Sequence, residues 1–101
     1  MMADESEVIR LARGLRVNPG IARLISCLYG AKGRAVGMAT LLHAVPPRDA
    51  SADPLDRADN NIRVWVWRAR GALGVDAIAT AHGLGYSLTP VGLEKVAAVL
   101  K

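Results

Sequence analysis

IRVWVWRARGALGVDAIATAHGLGY, residues 62–86, joins a helical periodicity to a glycine-turned pair of strands. In its first half Ile62, Val66, Ala69 and Leu73 recur at spacings of four, three and four, which lines them along one side of a helix. Arg63, Trp67 and Arg70 fall on another side, with Val64, Trp65 and Arg68 toward its flanks. Gly74 supplies the C-terminal stop. In the second half, 77–81 and 84–89 read as two strands around a His82-Gly83 turn.

The flanking sequence adds helices on both sides. Residues 4–15 form a first helix, with Val8, Leu11, Ala12 and Leu15 at helical spacing and acids in the first turn, where they complement the dipole. Asn18-Pro19 starts the next helix, Asn as cap and Pro at the first helical position. Ile21, Leu24, Ile25 and Leu28 form its apolar face, and Gly30 or Gly33 ends it. A short extended piece is expected over 34–36. A short helix over 38–45 follows, burying Met38, Leu41, Leu42 and Val45 and stopped by Pro46-Pro47. The polar run RDASADPLDRADN holds no core, and the arginine-bearing helix begins either at a capping arrangement of Asp53-Pro54 with Asp56 or nearer Asp59. Thr89-Pro90 opens a last helix with Leu93, Val96, Ala97 and Leu100 as its apolar stripe. The fold class predicted is mainly α with a small β-hairpin, in one domain over 1–101.

Composition bounds the rest. The 101 residues are 51% hydrophobic but only 4% aromatic, so a core must be built from close-packed aliphatic helices. The net charge is +4, which suits a polyanionic partner without establishing one. Asp4, Glu5 and Glu7 leave the middle of the chain more basic than the total suggests. Cys27 is the single cysteine, which excludes an internal disulfide and a cysteine-held zinc. The apolar stretches are too short to span a bilayer, and the acidic start MMADESE is unlike a signal peptide, so a cytoplasmic protein is expected.

Each motif has a plain and a functional reading. The arginines are a solvated basic face or a DNA contact, since a helix fits the major groove and Arg reads guanine or clamps phosphate. Trp65 and Trp67 lie about 200° apart on a helix, so at most one is deep in the core, and Trp67 is expected to be the more exposed. Gly83 and Gly85 around Leu84 make a turn rather than a phosphate cradle, because no strand-to-helix crossover with a third glycine follows. His82 alone is an ordinary loop histidine. Neither His43 nor His82 has a ligand set near it, and Asp49, Asp53, Asp56 and Asp59 serve loop polarity and capping. No cofactor or metal is expected. With no nucleophile–base pair visible, neither is an enzyme.

A basic helix followed at once by a glycine-turned hairpin is the order that a DNA-reading helix and its wing require. The run IRVWVWRARGAL resembles the recognition helix of OmpR/PhoB-type winged-helix domains, whose pattern is roughly V-D-V-H-I-x-R-L-R-x-K-L. IATAHGLGYSL resembles their wing, I-x-T-x-R-G-x-G-Y-x-L, with Ile78, Thr80, Gly83, Gly85, Tyr86 and Leu88 in place. Residues 18–45 are loosely similar to the family's first two helices. The ending YSLTPVGLEKV is similar to the Y-x-L-T-x-x-G ending of other winged-helix regulators. The resemblance covers about 17–89 and implies a winged helix-turn-helix with extra N- and C-terminal helices, in a bacterial transcriptional regulator.

Carried over by position, it implies that Val64 approaches bases and that Arg68 contacts bases or phosphate. Arg70 meets the DNA backbone, as do Asn60, Asn61 or Trp65 at the start of the helix. The segment 46–59 corresponds to a loop that contacts RNA polymerase or another regulator. Arg63 replaces an acid of the family pattern, Trp67 stands where a basic or polar residue is common, and His82 takes the place of the wing arginine. These residues contain no receiver domain, so phosphorylation control is not expected. The leading expectation is a binder of double-stranded DNA using Asn60, Asn61, Arg63, Val64, Trp65, Trp67, Arg68, Arg70 and His82, with a homodimer face available on the first or last helix. The alternative is a protein–protein interaction module, an anti-activator or phage-type adaptor, using Trp65 and Trp67.

Overall fold

The computed structural model describes residues 5–44 and 59–101, with the side chains of 6–44 and 62–101. Five helices and one hairpin follow in the order α1 (Glu5–Leu15), α2 (Pro19–Gly30), α3 (Met38–Ala44), α4 (Asp59–Leu73), β1 (Ile78–Ala81), β2 (Gly85–Leu88) and α5 (Pro90–Leu100). This is the mainly helical fold with a small antiparallel hairpin that the periodicities predict. Expectations on Asp4, Val45, Pro46-Pro47, the Asp53-Pro54 cap, Asp56 and the 46–59 segment up to Asp59 lie outside the described residues. Among the described residues no helix is long and apolar enough to cross a membrane.

Local chemistry sets the boundaries. Arg16, in the left-handed region at φ 57, stops α1, and the Val17 N–H reaches back to the Ala12 carbonyl at 3.1 Å to satisfy the helix end. The Asn18 side chain accepts from the Ile21 N–H at 2.8 Å, with Pro19 pre-set for the first turn of α2. Thr89 caps α5 in the same manner, accepting from the Gly92 N–H at 3.1 Å. Its hydroxyl also donates to the Asp76 carbonyl at 2.6 Å, which ties the strand exit to the turn before β1. At the end of α4, Gly74 adopts φ 112 and Lys95 of α5 donates its ammonium to the Leu73 carbonyl at 2.7 Å. A cation on a helix C-terminus is the favourable sense of the dipole.

The core is aliphatic. Leu24, Ile25 and Leu28 of α2 meet Leu11 of α1, Leu41 of α3, and Ile62, Val66, Ala69 and Leu73 of α4, all buried. The expected apolar face of α4 therefore points inward as read. Leu88 and Val96 continue this core under the hairpin and α5. Ser26, the buried polar side chain, donates its hydroxyl to the Glu7 carboxylate and joins α2 to α1.

The hairpin pairs Ile78 with Leu88 through to Ala81 with Gly85, shorter by a residue at three of its four ends than the periodicity suggested. The Leu84 N–H closes the turn on the Ala81 carbonyl at 2.9 Å, with Gly83 at φ 78. The expected extended piece contributes one rung. Val36 pairs with Tyr86, N–H to carbonyl both ways at 2.7 and 3.0 Å, on the side of β2 away from β1. The order across the sheet is therefore Val36–β2–β1. Gly85 makes that rung possible: at φ 134 it leaves the L-residue regions, and a Cβ there would run into the Val36 carbonyl. Gly85→Ala is therefore expected to destabilise the fold by about 3 kcal/mol in urea unfolding, whereas Gly30→Ala, at a position with open space, changes stability far less.

Candidate nucleic-acid interface

Helix α4 carries most of the candidate residues, and its rotation decides which of them face out. With Ile62, Val66, Ala69 and Leu73 buried, Arg63, Val64, Trp67 and Arg68 are exposed. Val64 is 43% and Trp67 73% accessible, against 5% for Trp65. The expectation that Trp67 is the outer tryptophan holds. Asn60 and Asn61 lie in the first turn of α4 by their backbone, and their side chains fall outside the described residues.

One expected contact is corrected, and another residue proves to be engaged within the chain. Trp65 does not sit at the helix entrance facing outward; its ring is buried over Gly20, where any Cβ would collide with it. The missing side chain in the first turn of α2 makes the space that takes the indole. Arg70, half-buried, is held by the hairpin. Its Nε donates to the Ile78 carbonyl at 3.1 Å and its Nη2 to the Thr80 hydroxyl at 2.9 Å. Both acceptors belong to β1, so Arg70 fastens the hairpin to α4 and sets the angle between them.

Arg63, one helical repeat before Arg70, faces the other end of the hairpin. It lines an open groove of about 490 Å³ together with Met38, Thr80, His82, Leu84 and Tyr86. His82 is exposed at the turn, and Leu84 beside it is 70% accessible. Arg63 and Arg68 make no hydrogen bond or ion pair with any described residue, and α4 holds no acid between Ile62 and Leu73. The surface thus combines two guanidinium groups with no partner among the described residues, an exposed indole and a hairpin tip.

Some contributors are not apparent from sequence. Thr80 is in the wing pattern, but its role as acceptor for Arg70 depends on how the hairpin folds back. Leu84 and Met38 enter the groove through tertiary placement alone. Elsewhere, burial pushes the Cys27 thiol up, which keeps it protonated and poorly nucleophilic at neutral pH. Among the described residues no group of three His, Cys, Asp or Glu side chains could hold a metal ion. The chain matches no family model, no curated protein and no solved structure.

Two substitutions probe this geometry. Arg70→Met, which keeps the aliphatic stem, is expected to cost about 1 kcal/mol and to speed amide exchange across β1 and β2 while leaving the α1–α2 core protected. Gly71 has open space around it on the exposed side of α4, so Gly71→Ala is expected to stabilise the protein by about 1 kcal/mol in thermal unfolding.

Proposed function

We propose that this chain binds double-stranded DNA as a winged-helix protein of the OmpR/PhoB kind and regulates transcription in the bacterial cytoplasm, by binding rather than catalysis. In this reading α4 enters the major groove and the hairpin grips the adjacent backbone. The observation that carries it is the pair Arg63 and Arg68, exposed and without a partner among the described residues, on the helix to which Arg70 fastens the hairpin. A helix of this diameter fits the major groove, and the groove between Arg63 and the hairpin tip is open to a phosphate strand. Arg68 reaches bases or phosphate, Arg63 and His82 approach the backbone, and Val64 meets the groove floor.

The second reading, a protein-interaction module, is favoured by one observation: Trp67 is 73% accessible, and exposed tryptophans are enriched at interface hot spots. Trp65 drops out of it, being buried. Charge separates the two readings. A protein partner would need an acidic surface to meet Arg63 and Arg68, whereas DNA supplies phosphates in any sequence.

A duplex titration across salt tests the proposal. Each guanidinium–phosphate contact contributes roughly 0.9 to the slope of log K against log salt. The Arg63→Ala, Arg68→Ala protein is expected to bind duplex DNA more weakly at low salt, with the slope shallower by up to about two. Unchanged affinity and slope would remove the DNA reading.

A further inference from the structure

We propose that the outward face of α4 recognises the C5-methyl groups of thymine in the major groove, with Trp67 and Val64 as the reading side chains. This rests on the duplex-DNA reading above and adds to it the chemistry by which sequence is distinguished.

At about 100° per residue, the direction opposite the buried row Ile62, Val66, Ala69 and Leu73 falls between Val64 and Gly71. Trp67 flanks that crest on the side of Arg63 and Arg70, toward the hairpin; Arg68 flanks it on the other. The crest itself is low. Val64 is short, and Gly71 has no side chain although nothing within 4 Å of its Cβ position requires that. A glycine inside a helix costs stability relative to alanine, and here the packing of the fold gives nothing back. What the low crest does permit is close approach of the helix to the floor of a groove.

The chemistry follows from what projects there. An indole that is 73% accessible presents a large apolar face and one N–H donor. Phosphates and sugars offer that face little. On the major-groove floor the apolar group is the thymine C5-methyl, and it marks T·A against the other pairs. Val64, three residues before Trp67 and 43% accessible, extends the same apolar strip along the helix. Arg68, without a partner among the described residues, supplies the cation that draws this strip into a polyanionic groove. Charge complementarity therefore selects duplex DNA as the occupant of a face that is otherwise apolar.

Replacing thymine by uracil removes only the methyl group. The duplex recovered by sequence selection with the intact protein is resynthesised with uracil at each thymine in turn, and binding is followed by fluorescence anisotropy at one salt concentration. Wild-type affinity is expected to fall by about fourfold at one or more positions, the ratio for burying one such carbon group. The Trp67→Ala protein is expected to keep its fold, because the side chain is exposed, and to lose the thymine–uracil difference at a position the wild type reads. Equal wild-type affinity for both duplexes overturns the proposal, as does a selection that yields no preferred sequence while duplex binding persists. A difference that survives both Trp67→Ala and Val64→Ala overturns the assignment to these side chains. Tighter binding to the single strand than to the duplex overturns it in favour of base stacking. No binding to any nucleic acid instead removes the duplex-DNA reading on which it rests.

Discussion

The burial of Trp65 over Gly20 fixes the roll of α4, and every surface property of that helix depends on it. Two tryptophans two positions apart cannot both be buried on one helix, because they diverge by about 200°. An indole buries 150–250 Å², roughly 4–6 kcal/mol of transfer free energy, so the choice between them outweighs any single surface contact. The absent side chain at Gly20 decides it, since a Cβ at that position would occupy the ring's space. Once Trp65 is inside, Val64, Trp67 and Arg68 are directed outward.

A second constraint acts from the opposite edge of the helix. Arg70 spends two of its donors on β1, one on a backbone carbonyl and one on Thr80. Charge-assisted bonds of this kind are stronger than neutral ones, and they hold the hairpin where its tip and Arg63 enclose one groove. The rung between Val36 and Tyr86 secures the same hairpin from its far side. Helix and hairpin thus form one surface held at three places, the indole, the guanidinium and the extra rung. Preorganisation of this sort lowers the ordering cost of binding, whichever partner is bound.

These constraints also explain how far the sequence could be read. The caps at Asn18-Pro19 and Thr89-Pro90, the glycine turn and the apolar row Ile62–Val66–Ala69–Leu73 rest on neighbours within a few residues, and periodicity or turn chemistry reveals them. Trp65 and Arg70 are different. Each lies at the border of the buried row, where a wheel of about 100° per residue leaves the direction undecided. Trp65 is settled by a glycine in α2, and Arg70 by a strand that must first fold back against α4. Such residues read from a pattern as contacts can turn out to be supports.

The burial of Trp65 and the engagement of Arg70 by β1 leave a single aromatic ring exposed on α4. With Trp65 exposed, α4 would present two aromatic rings on different sides, and no single groove could take both. With Trp65 inside, one ring remains, between Arg63 and Arg68, on a helix free of acids from Ile62 to Leu73. Arg70 fastens the hairpin beside it. An exposed Trp forgoes burial that the fold has given to its neighbour two residues earlier, which leaves the Trp67 ring open to a partner in the proposed reading. In that reading Arg63 and Arg68, without a partner among the described residues, suit one rich in negative charge, and an apolar ring beside a low helical crest suits one with apolar groups within its reach. The major groove of duplex DNA meets both conditions at once: phosphates line its edges, and thymine methyls stud its floor.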